Sequence, residues 1–346
     1  MVFPFGWSVT VRAQEDQASG TEAARPKVGL ALGAGAARGW SQLGILRELL
    51  ANGFAPDIVA GTSVGAVVGG CYCAGHLDEL ESFALSLNKR RVFGLMDFTL
   101  SGMGLLGGAR LRAKLERDLG DVQVKDLPIH FASVATEVHT GHEIWLTQGR
   151  LVDAICASYA LPGLFEPVHL DGRWLIDGAL VNPIPVSVCR ALGADIVIAV
   201  NLVAETLVRR PALQAPAPTA LAPSPDTPAL ASDVPSGTSW RHGWWSTAGA
   251  TGTNRPRATV GPSAPGMASV LVDAFNITQD RIARSRLAGD PPDVIINVKV
   301  GKIGLFDFHR ARELIDIGRD ATQRAMPDLR DYVDLYPVAV ATPPEP

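Results

Sequence analysis

Residues 57–73 read DIVAGTSVGAVVGGCYC, a short apolar run that turns through Gly61-Thr62-Ser63-Val64-Gly65 into a stretch of small residues. Asp57 to Ala60 has the β-branched character of a buried strand, and the residues after Ser63 continue as a helix toward Cys73. Between them stands the pattern G-x-S-x-G. A strand-to-helix elbow holds its serine in a strained conformation, so the neighbours two positions away on either side must lack bulk. Ser63 is thereby presented at a helix N-terminus, where free N–H groups and the helix dipole favour developing negative charge. A glycine-flanked serine that merely caps a helix would carry the same five letters. The setting between strand and helix is what points to a nucleophile.

Upstream, the apolar run Val28 to Leu32 enters a loop of tiny residues, Gly33-Ala34-Gly35-Ala36-Ala37-Arg38-Gly39, followed by Trp40 to Leu50 with helical spacing and an Asn52-Gly53 stop. Such a loop serves either as a dinucleotide cradle or as a set of backbone donors for the oxyanion of a tetrahedral intermediate. The dinucleotide fingerprint needs glycines at its first, third and sixth places, whereas the sixth here is Arg38 and the next glycine, Gly39, falls one later. The acidic ribose partner would have to be Asp57, which begins the second strand instead of ending it. The oxyanion reading gains from the serine elbow one strand-helix unit later.

Downstream, Ile129 to Glu137, Ile144 to Thr147, Trp174 to Asp177, Asp195 to Asn201 and Asp293 to Val298 read as strands. Helices are expected at Arg150 to Ala157, Ala268 to Leu287 and Phe308 to Met326. This alternation predicts an α/β fold with a mainly parallel central sheet. At the end of one strand stands Asp177-Gly178-Ala179, before Asn182-Pro183. Strand ends are where α/β sheets present functional groups, although on local grounds an ordinary turn aspartate fits as well.

The chain has 346 residues, 31 basic and 35 acidic side chains and a net charge of -4, so no whole-protein field argues for nucleic acid. Cys71, Cys73, Cys156 and Cys189 show no metal-ligand spacing and read as small core residues. Neither metal nor cofactor is expected. Residues 1–26 read as a flexible extension, 27–203 as the core, and 204–266 as a disordered insertion typified by PALQAPAPTALAPSPDTPAL. Residues 267–335 complete the core, and 336–346 form a flexible tail. Met1 to Val11 lacks a basic residue and makes a poor signal sequence, and no apolar run of about 18 residues suggests a spanning helix. A cytoplasmic protein is expected, with any membrane contact peripheral, local and mainly apolar. Val92 to Leu106, VFGLMDFTLSGMGLL, reads either as a cover over the site or as a buried connecting loop.

Taken in order, Leu30 to Gly39, Gly61 to Gly65, and Asp177-Gly178-Ala179 with Asn182-Pro183 resemble the three signature blocks of the patatin-like phospholipases, particularly the bacterial branch similar to neuropathy target esterase. Ser158 to Pro167, Asn182 to Val186 and Phe306 to Glu313 resemble the family as well. The resemblance implies a patatin-like three-layer α/β/α fold and acyl-ester hydrolysis on lipids. It further implies Ser63 as nucleophile, Asp177 as its direct partner without a histidine, and an oxyanion hole within Gly33, Ala34, Gly35, Ala36, Ala37 and Arg38. Alanine stands at positions 34, 36 and 179 where relatives commonly have glycine. Gly35 is accordingly the donor expected most, Arg38 either meets a phosphate or structures the loop, and Thr62 is expected only to pack. Of the seven histidines only His242 and His309 follow Asp177, and neither sits in a glycine turn. An aspartate near 3.9 is a feeble base, so burial is expected to raise it. The competing reading is an adaptor that keeps the fold but works by binding a partner.

Overall fold

The computed structural model describes residues 25–95, 109–202 and 267–335. Contacts divide the chain into two units at Thr206/Leu207 and Ala274/Phe275, and the sheet with all its strands belongs to the unit formed by the segments before and after that division. The insertion at 204–266, the tail at 336–346, nearly all of the N-terminal extension and most of Val92 to Leu106 lie outside the described residues.

Strand β1 (Val28–Leu32) leads through a 3-10 turn at Ala36–Trp40 into helix α1 (Ser41–Ala51), and β2 (Ile58–Thr62) turns at once into α2 (Val64–Cys73). Helices α3 (Leu77–Ser86), α4 (Lys89–Leu95) and α5 (Ala109–Leu119) follow, then β3 (His130–Glu137), β4 (Glu143–Leu146), α6 (Leu151–Tyr159), β5 (Val168–Leu170) and β6 (Arg173–Asp177). The remainder is α7 (Val186–Ala191), β7 (Ile196–Asn201), α8 (Met267–Gly289), β8 (Val294–Asn297) and α9 (Ala311–Leu335). The sheet runs β5-β6-β3-β2-β1-β7-β8, with β4 also paired to β3. Strands β3, β2, β1, β7 and β8 run parallel to one another, β4 and β6 pair antiparallel with β3, and β5 pairs antiparallel with β6.

Side-chain alternation along the central strands separates two cores. Leu30, Leu32, Val59, Phe131, Ile198 and Val200 face a large core with residues of α1, α2, α3, α6 and α9. On the other face the sheet presents Ala31, Ala60, Ala132, Val197 and Ala199 against α7 and the Ala283 turn of α8. Both faces being covered explains why β1, β2 and β7 are buried along their whole length. The three-layer α/β/α arrangement expected from the sequence is the one observed.

Helix α9 continues past Pro327, where the sequence pattern ends at Met326. A proline inside a helix costs about 3 kcal/mol. Burial of Met326 and Leu329, with Tyr332 packed against the same core, offsets it. Opposite, α9 meets α1 backbone to backbone: a Cβ on Gly44 would run into the Ile315 carbonyl, and one on Gly318 into the Ser41 carbonyl. This contact braces the helix that follows the glycine loop. Gly318→Ala should therefore lower stability by about 1–3 kcal/mol, read as a fall in the urea midpoint at unchanged slope. A midpoint equal to the parent's would mean the helices are not this close.

Candidate functional site

At the end of β2 the backbone reverses at Ser63, whose φ of 57° and ψ of -122° lie outside the ordinary range for a side chain. Such a residue stores about 1–3 kcal/mol and persists only where its surroundings force it. Here they do. A Cβ on Gly61 would collide with the Gly65 carbonyl and the Ala66 backbone, and one on Gly65 with the Leu32 carbonyl. The Ser63 N–H donates to Ser158 Oγ at 2.8 Å, and the Ser158 hydroxyl donates in turn to the Val134 carbonyl at 2.6 Å. One residue earlier, buried Thr62 Oγ1 donates to the Asn182 carbonyl at 2.8 Å, so this hydroxyl ties the elbow to the loop after Asp177 and does more than pack.

Register brings the aspartate to this point. On β3, Val134 pairs with Thr62 of β2 on one side and with Trp145 of β4 on the other. Ala135, the next residue, pairs with Ile144 of β4 and with Asp177 of β6. Strand β6 therefore occupies the same side of β3 as β2 and ends where β2 ends, coming from the opposite direction, so that Asp177 takes the slot after Thr62. Gly178 is required there, because a Cβ would meet the Val134 carbonyl. The Ser63 hydroxyl donates to Asp177 Oδ2 at 2.6 Å, while Oδ1 accepts the Ala179 N–H at 2.8 Å. Ser63 and Asp177, 114 positions apart, are thus in direct contact.

The family model described as patatin-like phospholipase matches residues 30–190. An uncharacterized NTE family protein of Mycobacterium tuberculosis is 33% identical over 334 residues, covering 87% of this chain and 91% of its own. The chain belongs to the patatin-like phospholipases, among the NTE family proteins. Lysophospholipase NTE1 of Pyricularia oryzae is 26% identical over 313 residues, spanning 88% of this chain and 19% of that much longer protein. A crystal structure of VipD from Legionella pneumophila aligns over 51% of this chain and 50% of its own with a TM-score of 0.40 and 16% identity, too distant to bear on function.

In this patatin-like site Asp177 is only 2% exposed, and that burial pushes its carboxyl up to about 7, against the lowering effect of the Ser63 hydroxyl and the Ala179 N–H. The glycine loop lies opposite. Its six expected donors are not equivalent: the Ala34 N–H is spent on the Pro183 carbonyl, Ala37 on Leu305 and Arg38 on Gly35. Gly33 accepts at its carbonyl from Gln42 Nε2 at 2.6 Å and does not line the cavity. The N–H groups of Gly35 and Ala36 have no acceptor among the described residues, and both residues line the cavity that Ser63 and Asp177 open into. Arg38 is buried and gives its Nε–H to the Ile303 carbonyl at 2.8 Å, tying the loop to the segment before α9 and not facing that cavity.

The cavity measures about 160 Å³ and is walled almost wholly by apolar side chains such as Trp40, Val67, Phe83, Leu164, Phe165 and Phe308. Among the described residues no histidine lines it. Asp57 accepts from Arg25 and from the Val28 N–H at the opposite end of β1, which removes the acidic partner a dinucleotide reading would need. The four cysteines are buried and unpaired, and burial pushes the Cys71 thiol up to about 12. Among the described residues no helix is long and apolar enough to cross a membrane.

Ser158 joins the site through the Ser63 N–H, although the sequence alone leaves it without a role of its own. Its signal is a small polar residue, just before Tyr159, in the otherwise apolar run Ile155-Cys156-Ala157 that closes α6. As a positioning residue it should matter through Ser63: Ser158→Ala leaves a buried N–H without its acceptor, a loss of about 1–3 kcal/mol. We expect labelling of Ser63 by a fluorophosphonate to slow by at least about tenfold in a variant that remains folded by circular dichroism. Parent-like labelling kinetics would remove this role.

Proposed function

We propose that the protein is a carboxylic ester hydrolase acting on acyl lipids, of phospholipase A or lysophospholipase type, with Ser63 and Asp177 as a catalytic dyad. The observation that carries this reading is the 2.6 Å contact from the Ser63 hydroxyl to Asp177 Oδ2 at a strained elbow facing an apolar cavity. Family membership and the related lysophospholipases support the substrate class.

In the proposed reaction Asp177 takes the Ser63 proton as Oγ attacks the ester carbonyl carbon, forming the tetrahedral oxyanion. The N–H groups of Gly35 and Ala36 receive that oxyanion at the helix-proximal end of the loop. Collapse breaks the carbon–oxygen bond of the ester, and Asp177 returns its proton to the departing alcohol. Water then attacks the acyl-serine while Asp177 accepts its proton. Release of the fatty acid returns that proton to Ser63 Oγ. A base near 7 suits this cycle, since about half of it is ionised at neutral pH and the ionised form is still basic enough to draw a proton from an alcohol.

Ser63→Ala should abolish both fluorophosphonate labelling and ester turnover. Because only ionised Asp177 can act as base, kcat/KM for a neutral ester should fall about tenfold per pH unit below about 7 and level off above it. A flat profile between about pH 5 and about pH 9 would count against Asp177 as the base.

Stability should run the other way. The buried carboxyl sits at about 7 against an ordinary 3.8, so the folded protein binds this proton more tightly than the unfolded chain does. Stability is then lost as pH rises through the interval between those values, by an amount on the order of 4 kcal/mol. Asp177→Asn keeps the acceptor for Ala179 without the charge. It should be inactive yet melt higher than the parent above pH 7, with the advantage shrinking toward about pH 4. Equal melting temperatures for the two proteins at alkaline pH would contradict the buried charge.

A further inference from the structure

The cavity at Ser63 has a neighbour. A second, smaller cavity of about 20 Å³ shares Trp40, Val67, Phe83 and Leu111 with the first but touches neither Ser63 nor Asp177. Side chains that line both spaces are the partition between them. The order of the two along the molecule follows from α2. Ser63 at its N-cap, Val67 and Cys71 recur every four residues and so lie on one helix face, each step advancing about 6 Å along the axis. The first cavity touches Ser63 and Val67, the second Val67 and Cys71. The second space therefore continues the first, farther from the nucleophile.

Two features mark where an alkyl chain would have to stop. Phe83, on α3, has the Lys114 ammonium 4.8 Å from its ring centroid, and Lys114 is itself paired with Asp118. A cation held over the ring face steadies it. Beyond the partition, the walls of the second cavity include His76, Glu79, Lys114 and Asp118, where further methylenes would displace water from charged groups. The first cavity, by contrast, is apolar on nearly every side.

We propose that the Ser63 cavity is the seat of a linear acyl chain and that the Phe83 ring, set against Val67, is its end wall and fixes the longest chain accepted. This inference rests on the hydrolase reading for its substrate. Phe83→Ala joins the two cavities and admits a longer chain as far as the charged rim; Phe83→Trp advances the wall toward Ser63. Each methylene newly accommodated should raise kcat/KM by about fourfold, the worth of one buried CH2.

The test is a p-nitrophenyl ester series from butanoate to hexadecanoate, read as kcat/KM for the parent, Phe83→Ala and Phe83→Trp. In parallel, binding of the corresponding free fatty acids is measured in a Ser63→Ala background, which needs no turnover. We expect the optimum to move to longer chains in Phe83→Ala and to shorter ones in Phe83→Trp, in both assays. An optimum that stays put in both variants, while Ser63 still labels, overturns the end wall. Chain-length-dependent binding that shifts with Phe83 in a protein that hydrolyses no ester would instead uphold the seat and sink the hydrolase reading. Should Phe83→Ala fail to fold, the Phe83→Trp shift decides alone.

Discussion

Two consecutive residues of β3, Val134 and Ala135, carry on one side the last residue of β2 and the last residue of β6. Because β2 is parallel to β3 and β6 is antiparallel, both strands end at the same point and from opposite directions. Their ends are the elbow and the aspartate turn. Register in a sheet is discrete, and slipping β6 by one residue would turn Asp177 to the other face and put Ile176 or Gly178 in its place. The residues around the elbow and the aspartate are fastened to this junction: Ser158 bonds to the Val134 carbonyl, Thr136 Oγ1 donates to the Asp177 carbonyl at 2.9 Å, and Gly178 lies against Val134.

That junction also governs the electrostatics. Asp177 has one oxygen held by a backbone N–H and the other turned to Ser63, so its orientation is fixed on both sides. Two hydrogen bonds favour the carboxylate, and burial beneath the sheet end opposes them more strongly. A solvated aspartate in the same position would be too weak a base, and a fully unbonded buried one would stay protonated at neutral pH. The geometry holds the group between these limits, and under the proposed reaction that is what would let a carboxylate serve where many serine hydrolases use a histidine.

Most of this was legible where the chemistry is local. The elbow at Gly61 to Gly65 and the strands Val28 to Leu32 and Asp195 to Asn201 announce themselves because steric demands and burial on both faces leave few residue choices. The contact between Ser63 and Asp177 could be expected only through the resemblance, since a register between strands 114 positions apart leaves no trace in spacing. Helix α5 does carry an apolar stripe, Leu111, Leu115 and Leu119 at four-residue spacing, passed over in the sequence among its charged neighbours, whereas the six residues of α7 are too short for periodicity. Ser158 and Gln42 escaped notice for another reason. A buried hydroxyl or amide takes its meaning from the backbone atom it meets, and that atom belongs to another segment.

The glycine loop shows how backbone requirements can be misjudged from composition. With alanine at 34 and 36, Gly35 is the loop residue from which a left-handed conformation would be expected on composition. Gly35 instead has an extended φ of 166°, and it is Ala36 that turns left-handed at φ 48°. What Gly35 needs is absence of bulk, since a Cβ there would lie 2.9 Å from Leu202 Cδ1. Ala34 can carry its methyl because it is fully buried with its N–H already committed to Pro183, a fixed strut outside the donor pair. The strain at Ala36, about 1–2 kcal/mol for a left-handed L-residue, is held by the Ala37 and Arg38 bonds that follow it. A loop so anchored holds Gly35 and Ala36 at the wall of the Ser63 cavity with their N–H groups uncommitted among the described residues, and donors fixed in this way stabilise a developing charge without reorganising.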